Sequence, residues 1–153
     1  MRIGIIGAGN IGGAFARRFS ERGHEVSVAN SRGPETLREV EAETGATAVT
    51  AQEAVRDKDV VVVTIPEKKV PQLPDDLFAG VGDGVVMVDT GNYYPRHRDG
   101  RIAEIEQGMP ESVWVARRPG VIGSTEVPRA YEPLVVRGLG RPTQTVGRST
   151  RSI

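Results

Sequence analysis

Two short stretches combine residue types and spacings that could do chemistry. The first is GAGNIG, residues 7–12, directly after the apolar run RIGII (2–6). Glycines spaced G-x-G-x-x-G at a strand-to-helix turn suit a pyrophosphate. Gly7 makes the tight turn, Gly9 lets the phosphate approach bare backbone, and Gly12 lets the helix pack on the strand. The free N–H groups of Ala8, Asn10 and Ile11 and the positive helix end would then face the anion. Gly13 adds slack for close packing on this reading. The second stretch is VSVANSRG, residues 26–33. A dinucleotide site usually carries an acid at the end of its second strand, which binds the adenosine ribose 2′-OH. Here that position holds Asn30, Ser31 and Arg32. A carboxylate would repel a 2′-phosphate, whereas a guanidinium fork attracts one through charge-assisted hydrogen bonds. The pair of stretches therefore favours NADP over NAD. The competing reading has Ser31 and Gly33 capping the next helix while Arg32 sits in solvent.

These side chains need a frame to hold them. RIGII reads as a buried parallel strand. A helix follows over about 10–22, with Ile11, Phe15 and Phe19 on one apolar face and Gly23 past its end. EVSVA (25–29) is the second strand, and Pro34 opens a helix running to about Glu43, with Gly45 beyond it. A short strand lies near 47–49. Thr50 and Glu53 are spaced as a capping box for another helix. DVVVVTIP (59–66) is the strongest strand, a weak helical region spans about 67–79, VVMVD (85–89) is the next strand, and 101–108 is a short helix. Strands alternating with helices predict an α/β fold, a doubly wound parallel sheet. In such a sheet ligands bind beyond the carboxyl ends of the strands. Thr64, Ile65 and Pro66 would then line the nicotinamide half, and Asp89, Thr90, Gly91 and Asn92 would face the second substrate or simply form a turn.

Composition narrows the function classes. The chain has 153 residues, 19 glycines, equal numbers of acidic and basic residues, and no cysteine. Disulfides and thiolate chemistry are excluded. The apolar run at the N-terminus is too short and too glycine-rich for a signal peptide or membrane span, which predicts a soluble cytoplasmic protein. His24 and His97 are isolated, read as loop residues, and no metal-ligand spacing is present. The charge is uneven: residues 117–153 hold seven arginines against two glutamates. That tail lacks lysines and the interleaved aromatics of a nucleic-acid surface, so nucleic-acid binding ranks last.

The stretches MRIGIIGAGNIGGAFARRFSERGHEV, ANSRGPETL and VDTGNYYP with RDGRIAEIE resemble the NADP-dependent oxidoreductases that use the deazaflavin coenzyme F420, and most closely their bacterial dinucleotide-binding relatives. The resemblance covers about residues 1–116. It implies that Ser31 and Arg32 hold the 2′-phosphate of NADP, and that a hydride passes between NADPH and the deazaflavin. Such a transfer needs two aligned rings and excluded water, and no acid–base residue in principle. The NYYP and RDGRI segments speak against a pyrroline-carboxylate or ferric reductase relative. Tyr93 and Tyr94 could stack on the deazaflavin or pack under their loop.

The division expected is an NADP-binding domain over 1–116 and an irregular Arg/Pro/Gly-rich tail over 117–153, with at most a strand near Leu134–Val136. The family's second half, which helps form the second-substrate pocket and the dimer contact, does not continue past ESVWVA (111–116). The tail has the composition of an out-of-frame reading of a GC-rich gene. The alternative function is thus a non-catalytic NADP-binding module or truncated product. Small-molecule substrates are the expected partners, with a homodimer as what the resemblance implies, and neither nucleic acid nor membrane.

Overall fold

The computed structural model describes residues 1–82 and 84–117. The expected strand near Leu134–Val136 and the rest of the tail from 118 onward lie outside the described residues. Five strands form one parallel sheet: β1 (Arg2–Ile6), β2 (Glu25–Ala29), β3 (Thr47–Ala48), β4 (Val60–Val63) and β5 (Val86–Asp89), in the order β3-β2-β1-β4-β5. The order reverses between β1 and β4, as in a doubly wound sheet. Register brings the carboxyl ends level: Ile6 pairs with Ala29 on one side and with Val63 on the other, and Val63 pairs with Asp89.

The strands are apolar on both faces because helices cover both. On one face, Ile3, Ile5, Val26, Val28 and Val62 pack with Ala16 and Phe15 of helix α1 (Asn10–Glu21) and with Leu37 before helix α2 (Arg38–Thr44). On the other, Ile6, Ala29, Val61 and Val63 pack with Ala54 and Val55 of α3 (Ala51–Val55), with Leu77 and Phe78, and with Trp114 and Val115 of α5 (Glu111–Ala116). Each fully buried Val or Ile contributes about 1.5–3 kcal/mol to this core.

The expected capping box is present: Glu53 N–H donates to Thr50 Oγ1 at 3.3 Å, and Thr50 N–H donates to Glu53 Oε2 at 2.9 Å. Gly45 caps α2 in the left-handed conformation, φ 73°.

Several elements differ from the sequence expectation. The apolar stripe of α1 runs through buried Gly12 and Ala16, and Ile11 is 52% exposed at the mouth of the sheet. The chain after Pro34 makes a 3-10 turn, Pro34–Leu37, before α2 begins. Between β4 and β5 the described residues form no α-helix; a 3-10 turn, Glu67–Gln72, contains Pro71, whose missing N–H and ring forbid a continuous helix. The helix expected over 101–108 contracts to α4 (Ala103–Glu106), and a π turn over Pro95–Asp99 precedes it.

Candidate functional site

The glycine turn follows from sterics. Gly7 adopts φ 111°, and a Cβ there would lie 2.7 Å from both Thr64 O and Thr64 Oγ1. Gly12 is pressed against the turn: a Cβ would collide with Gly7 O and stand 2.7 Å from Thr64 Oγ1. Thr64 locks the arrangement by donating its hydroxyl to Gly7 O at 2.8 Å. Gly9 is different in kind. It caps the start of α1 with φ −77° and ψ −167°, which any residue tolerates, and a Cβ on it would meet nothing within 4 Å. Its surroundings are open on the side a phosphate would use. No side chain caps the first turn of this 12-residue helix, and no acid lies in it, so its N–H groups and partial positive charge are free for an anion. Gly13 does not match its expected role, because a Cβ there also meets nothing within 4 Å.

The second loop starts beside the first, since Gly7 N–H donates to Ala29 O at 2.8 Å. Ser31 and Arg32 are exposed, and the Arg32 guanidinium makes no ion pair among the described residues. Asn30 is used within the loop: its Oδ1 accepts from Arg32 N–H at 2.9 Å and its Nδ2 donates to Thr36 Oγ1 at 2.9 Å. Gly33 turns the chain at φ 100°. The site therefore pairs an open helix terminus with a cation, one strand away, that has no ion pair among the described residues.

Thr64, Ile65 and Pro66 stand at the end of β4, the central strand beyond the order reversal, and all three are half-buried. At the end of β5, Thr90 N–H donates to Val63 O at 3.0 Å and Gly91 N–H to Asp89 Oδ1 at 2.9 Å, so 89–91 forms a tight turn beside them. The following loop is organised by Asp99, 7% exposed, whose carboxylate accepts from Tyr94 N–H at 2.8 Å and from Arg98. Arg98 also lies 5.1 Å from the Tyr94 ring centre and donates to Asn92 O. Burial raises the Asp99 carboxyl, and the Arg98 guanidinium with the Tyr94 and Lys68 amides more than offsets this, leaving it below the usual range. Tyr93 is tied down: Ile102 N–H donates to its hydroxyl at 2.7 Å and the hydroxyl meets Glu106 Oε1 at 3.1 Å. Tyr94 is 45% exposed. His24 packs edge-on to Phe19 with ring centres 6.1 Å apart, and His97 is exposed.

Glu67 is a feature sequence reasoning missed. It follows Pro66, where an acid reads as an ordinary first-turn residue, yet it is fully buried and, among the described residues, both carboxyl oxygens lack a hydrogen-bond partner. Burial, reinforced by the nearby Asp89, Glu111 and Asp99 carboxylates and opposed by Arg98, pushes its pKa up to about 8. Asp89 is raised too, by burial first and by Glu111 next, against hydrogen bonds from Gly91 and Thr90. The Glu67 carboxyl rests on Gly91, where a Cβ would collide with Oε1. Nothing local in the sequence announces this. The sole signal is a glycine at 91 whose φ needs no glycine.

Among the described residues, no three His, Cys, Asp or Glu side chains are grouped to hold a metal ion, and no helix is long and apolar enough to cross a membrane.

Sheet order, glycine turn and free helix terminus together define a nucleotide-binding domain of the Rossmann class. The sequence pattern of a family described as NADP oxidoreductase, coenzyme F420-dependent, matches residues 2–93, and the chain belongs to that family. It is thus a member of an NAD(P)-binding oxidoreductase family. It is 33% identical over 101 residues to a glycerol-3-phosphate dehydrogenase [NAD(P)+] of Lactobacillus delbrueckii subsp. bulgaricus, covering 58% of this chain and 30% of that enzyme. The structure of a hypothetical protein from Sinorhizobium meliloti superposes with a TM-score of 0.61 and 30% identity, covering 78% of this chain and 57% of that one. Mycobacterium tuberculosis 3-hydroxyisobutyrate dehydrogenase shares the fold, with TM-score 0.51, 24% identity, and 59% and 31% of the two chains covered. The chain therefore spans under a third of the curated relative and little more than half of the Sinorhizobium protein.

Proposed function

We propose that this chain binds NADP in preference to NAD and passes a hydride between NADPH and coenzyme F420 or a related acceptor. The observation that carries the coenzyme preference is that positions 30–33 after β2 hold no acid and present Ser31 and an exposed Arg32 that has no ion pair among the described residues, while the nearest acid, Glu35, sits in the following 3-10 turn. On this reading the N–H groups of Ala8, Gly9, Asn10 and Ile11 hold the pyrophosphate, with Gly7 and Gly12 shaping the turn. Ser31 and Arg32 hold the 2′-phosphate. Thr64, Ile65 and Pro66 border the nicotinamide, and Ile11, exposed among the described residues, is covered by the dinucleotide. When bound, the reduced coenzyme supplies the hydride. The protein aligns the donor, withholds water from it and contributes no acid or base of its own to that step.

Family membership supports the deazaflavin as acceptor. The second reading is a binding module without turnover. A spectral assay of NADPH oxidation with the deazaflavin, beside a binding titration, separates the two: binding without oxidation selects the module. Arg32→Glu is expected to weaken NADPH by about 1.5–3 kcal/mol while leaving NADH nearly unchanged. Equal losses for both nucleotides would remove Arg32 from the site.

A further inference from the structure

The loop bearing Ser31 and Arg32 has no strand or α-helix of its own to hold it. Its shape comes from a closed set of hydrogen bonds that ends on Thr36. Thr36 Oγ1 donates to Gly33 O at 2.8 Å and accepts from Asn30 Nδ2 at 2.9 Å, and Asn30 Oδ1 accepts from Arg32 N–H at 2.9 Å. Thr36 N–H also donates to Gly33 O at 3.2 Å. One hydroxyl thus joins both ends of the loop, and the Asn30 amide carries that constraint to the backbone of Arg32. Thr36 is exposed and contributes nothing to the core, so a packing role does not account for it. The same set engages both polar ends of Asn30, whereas the Ser31 and Arg32 side chains make no such bond among the described residues.

We propose that Thr36 is a positioning residue for coenzyme discrimination: its hydroxyl, through Asn30 and Gly33, holds the 30–33 loop in the shape that presents Ser31 and Arg32 to the 2′-phosphate. This rests on the NADP reading given above. A guanidinium on a loop already in its bound shape loses less conformational freedom on binding, and that gain falls on the ligand carrying the phosphate.

The test uses the full chain and two small probes, adenosine 2′,5′-bisphosphate and 5′-AMP, titrated by calorimetry into the parent, Thr36→Val and Thr36→Ser. Valine keeps the shape and removes the hydroxyl, and serine keeps the hydroxyl. The parent is expected to bind the bisphosphate more tightly than AMP. Thr36→Val should weaken the bisphosphate about fivefold, the order expected for one lost hydrogen bond, with AMP changed less than about twofold, and Thr36→Ser should restore the parent ratio. If the parent prefers the bisphosphate and Thr36→Val keeps the same ratio, the role assigned to Thr36 is wrong while the NADP reading stands. Equal weakening of both probes, or a serine variant as impaired as the valine one, overturns it as well. A parent that does not distinguish the probes overturns the coenzyme reading, and this inference with it.

Discussion

Glu67 shows how much one buried side chain can decide. A carboxyl with no exposure and no partner is stable only while it carries its proton. Its folded-state pKa of about 8 lies above the ordinary 4.5, so the folded chain binds the extra proton. The stability it permits is present in full below pH 4.5 and is lost as pH rises through about 8. Glu67→Gln removes the titration and keeps the shape. Urea unfolding between pH 5 and 8.5 should show the parent losing about 3–4 kcal/mol relative to the glutamine variant across that window. Parallel pH profiles for the two proteins would mean that the carboxyl is ionised and solvated in the folded state.

At the scale of elements, α1 and the turn that feeds it set three glycines against one another. Gly12 is walled in by Gly7 O and Thr64 Oγ1, Gly13 faces empty space, and Gly9 faces empty space at the helix mouth. Alanine at each should therefore act differently. Gly12→Ala should cost about 1–3 kcal/mol through overpacking, and Gly13→Ala should add about 0.5–1 kcal/mol through helix propensity. Gly9→Ala should leave thermal stability nearly unchanged and weaken NADPH, because its new methyl group occupies space that only the ligand would use. Unfolding curves and coenzyme titrations on the three variants check all of this. A Gly9→Ala protein that binds NADPH like the parent would move the pyrophosphate elsewhere.

The periodicity of these elements was visible in the chain. RIGII, EVSVA and the valine run became β1, β2 and β4, and the Thr50–Glu53 spacing became a capping box, because each is fixed by neighbours within a few residues. The helix expected after Pro66 was not found, since Pro71 interrupts its hydrogen bonds. The π turn at Pro95–Asp99 was not foreseen, because it is held by Asp99, whose partners reach back to Lys68 as well as Tyr94.

For the molecule as a whole, binding and folding are linked. The turn, the 30–33 loop and the ends of β4 and β5 belong to different segments, and only the folded sheet sets them side by side. A ligand that bridges them binds the folded state alone and stabilises it by about 2.7 kcal/mol at a hundred times its dissociation constant. NADPH should accordingly raise the melting temperature by several degrees, with NADH at equal concentration raising it less. Absence of any shift at saturating NADPH would contradict the proposed site. Among the described residues β5 is one edge of the sheet, with Val86 54% exposed.

The sequence by itself determined what depends on short range. Strands and helices follow from apolar period, the turn from glycine spacing, and the charge preference of the second loop from an arginine standing where an acid would otherwise be. Tertiary structure alone decided which glycine is crowded and which is open, that Glu67 is sealed beside Gly91, and that Thr36 closes the loop of Arg32. Those facts depend on atoms brought together from distant positions or by a particular turn, and residue type says nothing about such company until the chain has folded.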